Sequence, residues 1–260
     1  MAWESSYYDS QRVFLRGIIA RDVAEPLISF DATTPAEAAR AAMVELNQHV
    51  AGVRVKGSIA GTIERGELGE GACGAYARPI DEAAVLADSA PITEVILALN
   101  KSPRVFIRLL GAVGGVVTRA DLQDPPVRMW LFGMITIVEM RLLALIERHY
   151  QDESWTRYLS DSRLEKARAL QDERRRRGQE TRLLDCLQFS DKAQIVVRDE
   201  ALRGRAGFAS RKRGEAVIKD LEALRNSLAH AQDIVAFDWD VIVQLSENLD
   251  RVIQMTQART

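Results

Sequence analysis

Short apolar runs alternate with helical stretches through the first 124 residues. Leu27–Phe30 reads as a strand. Thr33-Thr34-Pro35 predicts a helix start, a hydroxyl cap with proline at an early position. The alanine-rich stretch from Ala36 to Leu46 continues that helix until Asn47. Val53–Val55 and Ile59–Ile63 are β-type runs joined at Lys56-Gly57-Ser58, a hairpin signal. The order then recurs. Val85–Ala87 predicts a strand, and Ser89-Ala90-Pro91 opens a helix through Leu99, with Val95, Ile96 and Leu99 at helical spacing. Val105–Leu109 and Val113–Val117 give two more strands around Gly111.

Residue identities support the same repeat. Gly61–Leu68 (GTIERGEL) aligns with Gly115–Leu122 (GVVTRADL): glycine, arginine and leucine match in place, Ile63 stands opposite Val117, and Glu67 opposite Asp121. Asp31 to Glu67 spans 36 residues and Asp88 to Asp121 spans 33. A repeated unit that cannot bury its apolar face alone predicts a paired architecture.

After Pro125-Pro126 the strand patterns fade. Val127–Tyr150 reads as a long helix, apolar nearly all round and therefore central. Leu159–Arg177 is a polar helix ending in Arg174–Arg177, Leu183–Arg203 holds one or two helices, and Arg205–Gly214 reads as a loop. Helices over Glu215–Ala231 and Asp238–Thr256 complete an all-α bundle of about five helices. Val217, Leu221, Leu224 and Leu228 fall in one stripe at about 100° per residue. Asn226 and His230, four apart, point nearly opposite, with Arg225 at the stripe's edge.

Composition narrows the picture a little. The chain has 260 residues, 47% of them apolar, and a formal net charge of −2. That length suits two domains of middling size. Lys and Arg number 23 against 21 Asp and Glu over 125–260, and 12 against 16 over 1–124, so charge alone selects no partner. Cys73 and Cys186 match no metal-ligand spacing and read as buried thiols. No basic and apolar leader stands at the start, and no uninterrupted apolar run reaches the ~20 residues of a membrane span. The expectation is a soluble, cytoplasmic protein.

The repeat resembles the CBS family, whose members work as tandem pairs; the likeness runs over roughly Pro26–Gln123. Each repeat of that family ends in a strand leading into a hydroxyl-x-x-Asp step, here Thr118-Arg119-Ala120-Asp121. A hydroxyl and free N–H groups at a helix start suit a phosphate, an Asp three residues on can accept from both ribose hydroxyls, and Val116 could cover an adenine face. The resemblance implies that Thr118, Asp121 and Val116 hold an adenosine-type ligand (AMP, ADP, ATP or similar). Thr-x-x-Asp is equally a capping pattern. The first copy departs from the family, with Glu64 in place of the hydroxyl and Glu67 in place of Asp, so one site per chain at most is expected.

The string Leu221–Ala231 (LEALRNSLAHA) presents Arg225, Asn226 and His230 together. A guanidinium can hold a phosphodiester and stabilise its pentacoordinate charge, and an imidazole can act as general base or acid. The arrangement resembles the HEPN superfamily, whose signature is Arg, a polar residue, then His after four to six residues, with coverage of roughly Pro126–Met255. That resemblance implies metal-independent RNA cleavage at a cleft shared by two chains, since one ridge carries one imidazole. Gln232 stands where some members carry Tyr, and many members keep the fold without cleaving. The plainer alternative pairs Arg225 with Glu222 and leaves His230 solvated.

Glu139 and Arg141 interrupt the apolar helix and must be paired, either with each other or as support for the cleft. Arg174–Arg177, with Arg203, Arg205, Arg211, Lys212 and Arg213, form either an RNA-guiding face or a solvated one. His49 and His149 belong to no constellation, and Trp130 and Trp155 read as core.

The combined expectation is an N-terminal extension (1–25), an α+β tandem CBS pair (26–124) and an all-α HEPN-like bundle (125–260). It would act as a homodimeric endoribonuclease gated by an adenine nucleotide, with no metal, no catalytic cofactor and no membrane partner. The alternative is a non-catalytic sensor or adaptor that dimerises through its helical half.

Overall fold

A computed structural model describes residues 17–247. The chain divides into two compact units between Arg128 and Met129, inside a helix rather than at Pro125. Two predicted segments lie partly outside the described residues, the extension before 17 and the last helix beyond 247.

In the first unit the chain runs β1 (Glu25–Pro26), β2 (Ser29–Asp31), α1 (Ala36–Glu45), β3 (Val50–Val55), β4 (Ser58–Glu64), then β5 (Val85–Ala87), α2 (Ile92–Lys101), β6 (Arg104–Leu109) and β7 (Ala112–Thr118). Each copy is strand–helix–strand–strand, as the pattern predicts. β2 lies parallel to β3 and β5 parallel to β6, while β3–β4 and β6–β7 are antiparallel hairpins. Both hairpins close through two residues at positive φ, Lys56 (52°) and Gly57 (83°) in one, Leu110 (50°) and Gly111 (87°) in the other. That is the two-residue turn whose twist suits a hairpin. Both also carry a register shift at matching points, Val53/Arg54 and Ile107/Arg108. Asp31 falls opposite Arg54 and Ala87 opposite Arg108, so Asp31 corresponds to Ala87 and not to Asp88.

The repeats exchange their leading segments. β1 precedes the first copy yet pairs antiparallel with β7 of the second, making the sheet order β1-β7-β6-β5. Arg78, which leads into the second copy, bridges Thr62 of the first. Ile18 accepts from the first helical N–H of α2 (3.1 Å), and Gly71 does the same for α1 (2.8 Å). These carbonyls do the capping, where a hydroxyl of Thr33 or Thr34 was expected to cap the first helix; neither helix start has a side-chain cap. Residues 17–25 are therefore part of the repeat unit: Ala20 is wholly buried. Ala36, Ala39 and Met43 of α1 press on Ala51, Val53 and Ile63. Leu27, Val50, Phe106 and Val116 join the two copies.

The second unit is helical among the described residues: α3 (Pro125–His149, shared with the first unit), α4 (Asp161–Arg176), α5 (Phe189–Arg198), α6 (Glu200–Arg205), α7 (Arg211–Ala229) and α8 (Ile234–Glu247). That is six helices where about five were expected, because Asp199 caps a new helix at α6 and splits the segment before it. α3 is not buried all round. Trp130, Leu131, Met134, Ile135 and Ile146 are buried, but Met129, Phe132 and Met140 are exposed. By length and composition alone α3 would suffice to cross a membrane, and half of its most apolar window is buried inside the protein. Trp155, Cys73 and Cys186 are also buried, both thiols free.

Candidate functional site

Thr118 ends β7, and the chain turns through a short 3₁₀ segment, Ala120–Gln123. Asp121 Oδ2 accepts from the Thr118 backbone N–H (2.6 Å) and from its hydroxyl (3.0 Å). The pair thus closes its own turn, as the capping alternative requires. Burial pushes the Asp121 carboxyl up, and the nearby Glu25 and Asp124 charges add to this against the two Thr118 donors. Such an acidic corner opposes a phosphate. Val116 corrects the expectation of an adenine-facing edge. It is 4% exposed and packed in the cluster that joins the repeats.

In the first copy, Glu64 is paired with Arg104, the residue that lies opposite Thr118 in the β6–β7 register. Glu67 is paired with Arg78 at 2.6 Å. The matched arginines have a structural task. Arg119 donates through Nε (3.1 Å) and Nη2 (3.0 Å) to the Leu99 carbonyl in α2. Arg65 reaches the equivalent carbonyl of Met43 in α1 at 3.5 Å and contacts His49 Nδ1 at 3.1 Å. Gly61 admits a neighbouring segment of backbone: a Cβ there would stand 2.6 Å from the Arg78 carbonyl oxygen.

α7 buries Gly214, Ile218, Leu221, Leu224 and Ser227. The stripe is rotated from the predicted one, with Val217 and Leu228 only half-buried. Asn226 and His230 are exposed and Arg225 is half-buried, so the three lie away from the core. His230 is the C-terminal cap of the helix, donating its backbone N–H to the Asn226 carbonyl at 3.0 Å. Among the described residues none of the three side chains makes a hydrogen bond or ion pair, and the Arg225–Glu222 pair is not formed.

Glu139 and Arg141 are not paired with each other. Glu139 meets Lys192 at 2.8 Å. Arg141 is 6% exposed, and its three guanidinium nitrogens are buried without a hydrogen-bond partner. Much of the basic run is engaged locally: Arg176 and Arg177 bind Glu173, Arg211 binds Glu215, and Arg203 donates to the Val197 carbonyl. No group of acidic, histidine or cysteine side chains fit to hold a metal occurs among the described residues. His149 and Tyr150 join a polar network around Asp199 that no sequence spacing marked.

No family model matches the chain, and no curated protein matches it. Solved CBS-domain structures match about 40% of it, the N-terminal part. CBSX2 from Arabidopsis thaliana is 16% identical, covering 40% of this chain and 90% of its own, with a TM-score of 0.35. An uncharacterized conserved protein from Pyrococcus horikoshii is 16% identical, covering 41% and 90%, with a TM-score of 0.36. The CBS domain of a membrane protein from Sphaerobacter thermophilus is 16% identical, covering 46% and 94%, with a TM-score of 0.36. CBSX2 has also been crystallised in complex with AMP.

Proposed function

We propose that the helical unit is a metal-independent endoribonuclease of HEPN type, working as a homodimer, and that the repeat pair is its adenine-nucleotide-responsive regulator. One observation carries the catalytic part. Arg225, Asn226 and His230 stand on the solvent side of α7, uncommitted to any protein partner among the described residues, while the opposite face of α7 is buried. Arg225 would hold the scissile phosphate, Asn226 would orient it, and His230 would move the proton of the 2′-hydroxyl or of the leaving oxygen. A second chain would supply the second imidazole. The exposed Met129, Phe132 and Met140, spaced along one side of α3, support pairing between chains.

The test is cleavage of a labelled single-stranded RNA by the full chain, its Arg225→Ala and His230→Ala forms, and each with and without AMP or ATP. The expected result is cleavage in EDTA that falls about 10²-fold or more in either variant and changes with nucleotide. Equal cleavage by parent and variants ends the catalytic reading. Equal rates with and without nucleotide end the regulatory one, since a ligand shifts an equilibrium only by its differential affinity.

The alternative, a non-catalytic sensor or adaptor, draws on the same ridge: each chain offers it a single imidazole. That reading expects nucleotide binding and dimerisation without cleavage.

A further inference from the structure

A cavity of about 290 Å³ lies within the helical unit, bounded by α3, the 206–209 loop, α7 and α8. Its walls are mainly apolar, with Leu145, Phe208, Val217 and Leu245 among them. Arg141 lines the same cavity, and Arg213 and Asp220 are its other charged residues. Arg141 belongs to α3, is 6% exposed, and has Nε, Nη1 and Nη2 all buried with no hydrogen-bond partner.

A guanidinium keeps its charge inside a protein, so the cost of burying it here is not relieved by neutralisation. Burying it without a counter-charge carries a large penalty, and α3 has a nearby carboxylate, Glu139, that is already engaged with Lys192. The described carboxylates do not reach it: Asp220 lines the cavity without bonding Arg141, and Asp238, on α8, has a buried oxygen that is itself without a partner. Five donors in a rigid planar fork match a carboxylate or phosphate bidentately. The volume sits at the low end of small-molecule sites, which run from about 300 Å³. It suits a short-chain or single-ring acid.

We propose that this cavity binds a small organic anion with an apolar body, its carboxylate or monophosphate held by Arg141, whose closed-off guanidinium turns toward the cavity to meet it. The site is separate from the Arg225–His230 ridge and from the repeat pair, and it stands whether or not the ridge cleaves RNA. The ligand would complete the unit's packing on three helices, α3, α7 and α8, at once.

The test is calorimetric titration of sodium octanoate into the full chain at constant ionic strength. Octan-1-ol, which keeps the apolar body, and sodium acetate, which keeps the charge, serve as matched probes. Octanoate is expected to bind saturably, about tenfold or more tighter than either probe, as one charge-assisted pair provides. Arg141→Met should bring octanoate down to the level of octan-1-ol. Val217→Trp, which fills the cavity and leaves the guanidinium in place, should lower octanoate binding to a similar degree. If Arg141→Met does not fold, the probe comparison and Val217→Trp decide the matter. No octanoate binding, equal affinity for octanoate and octan-1-ol, or full binding in either folded variant overturns the proposal.

Discussion

Replacing Asp199 with Asn tests how the helical unit is held at the junction of α5 and α6. Asp199 Oδ1 accepts from the Leu202 N–H at 2.9 Å and so caps α6. Its Oδ2 accepts from the Tyr158 hydroxyl at 2.9 Å and the Tyr150 hydroxyl at 2.5 Å, with His149 Nε2 at 3.7 Å. The end of α3 and the turn through Tyr158 are thus tied to one carboxylate whose side chain is 7% exposed. Burial alone would raise its pKa, but the Tyr150, Leu202 and Tyr158 donors, with His149, outweigh that and hold it at about 2, against an ordinary 3.8. At about 1.36 kcal/mol per decade, the ionised group contributes at most about 2.5 kcal/mol.

The folded pKa lies below the unfolded one, so this contribution is fully present above pH 3.8 and is lost as pH falls through about 2. Halfway down, near pH 3, about 1.3 kcal/mol remains by the same linkage. The assay is urea unfolding followed by tryptophan fluorescence, with Trp130 and Trp155 buried in this unit. Parent and Asp199→Asn are compared at pH 7 and at pH 3. Differencing the two chains cancels every other carboxylate that titrates alike in both. The gap should shrink by about 1.2 kcal/mol between the two pH values. A gap that stays constant, or widens in acid, refutes the account of an ionised Asp199 held by its hydroxyl donors.

Further outcomes are expected from urea unfolding, followed by circular dichroism for substitutions in the first unit. Gly61→Ala places a Cβ against the Arg78 carbonyl and should cost about 1–3 kcal/mol. Gly115→Ala meets nothing nearer than 3.3 Å and should cost less. Arg119→Ala removes two donors from the Leu99 carbonyl and should cost about 1–3 kcal/mol, read by circular dichroism because the described tryptophans, Trp130, Trp155 and Trp239, belong to the helical unit. Glu139→Ala leaves Lys192 buried without its partner, a loss of about 3–5 kcal/mol. Lys192→Met with Glu139→Leu should recover most of that loss.

The repeat was legible because its signals are local. Turn chemistry at Lys56-Gly57, proline before each helix and alternation in the strands depend on neighbours a few residues away, and all three recur in the second copy. The exchange of leading segments was not legible. β1 pairs with β7 across about ninety residues of chain, and nothing in Glu25–Pro26 names its partner. Hence residues 17–25 read as an extension although Ala20 is wholly buried. The helical unit shows the same limit. The phase of α7 set its two faces apart, yet the stripe turned enough to bury Ser227 and leave Leu228 half-buried. Glu139 and Arg141 were marked as costly in an apolar helix, but the partner of one comes from α5 and the other has none. Periodicity states which residues must find a partner; it does not state which partner.

The two copies separate structural residues from functional candidates more sharply than either copy alone. Where they agree, the shared residue has a shared mechanical role. Gly61 admits the Arg78 backbone and Gly115 packs closely on Ala24 and Ile107, Arg65 and Arg119 hold the helix of their own copy, and Leu68 and Leu122 are core. None of these needs a ligand. Where the copies differ, at Glu64 and Thr118, the difference has a consequence that crosses between them. Glu64 engages Arg104, which begins β6 opposite Thr118. The guanidinium placed in register with the hydroxyl is thereby held by a carboxylate of the other copy. Glu64→Gln weakens that hold without removing the side chain. If the Thr118 end of the pair takes a phosphate, this substitution should tighten AMP binding, because it frees a cation there and removes an anion. An unchanged or weaker affinity in an equilibrium titration would leave Thr118 and Asp121 as a turn closure alone.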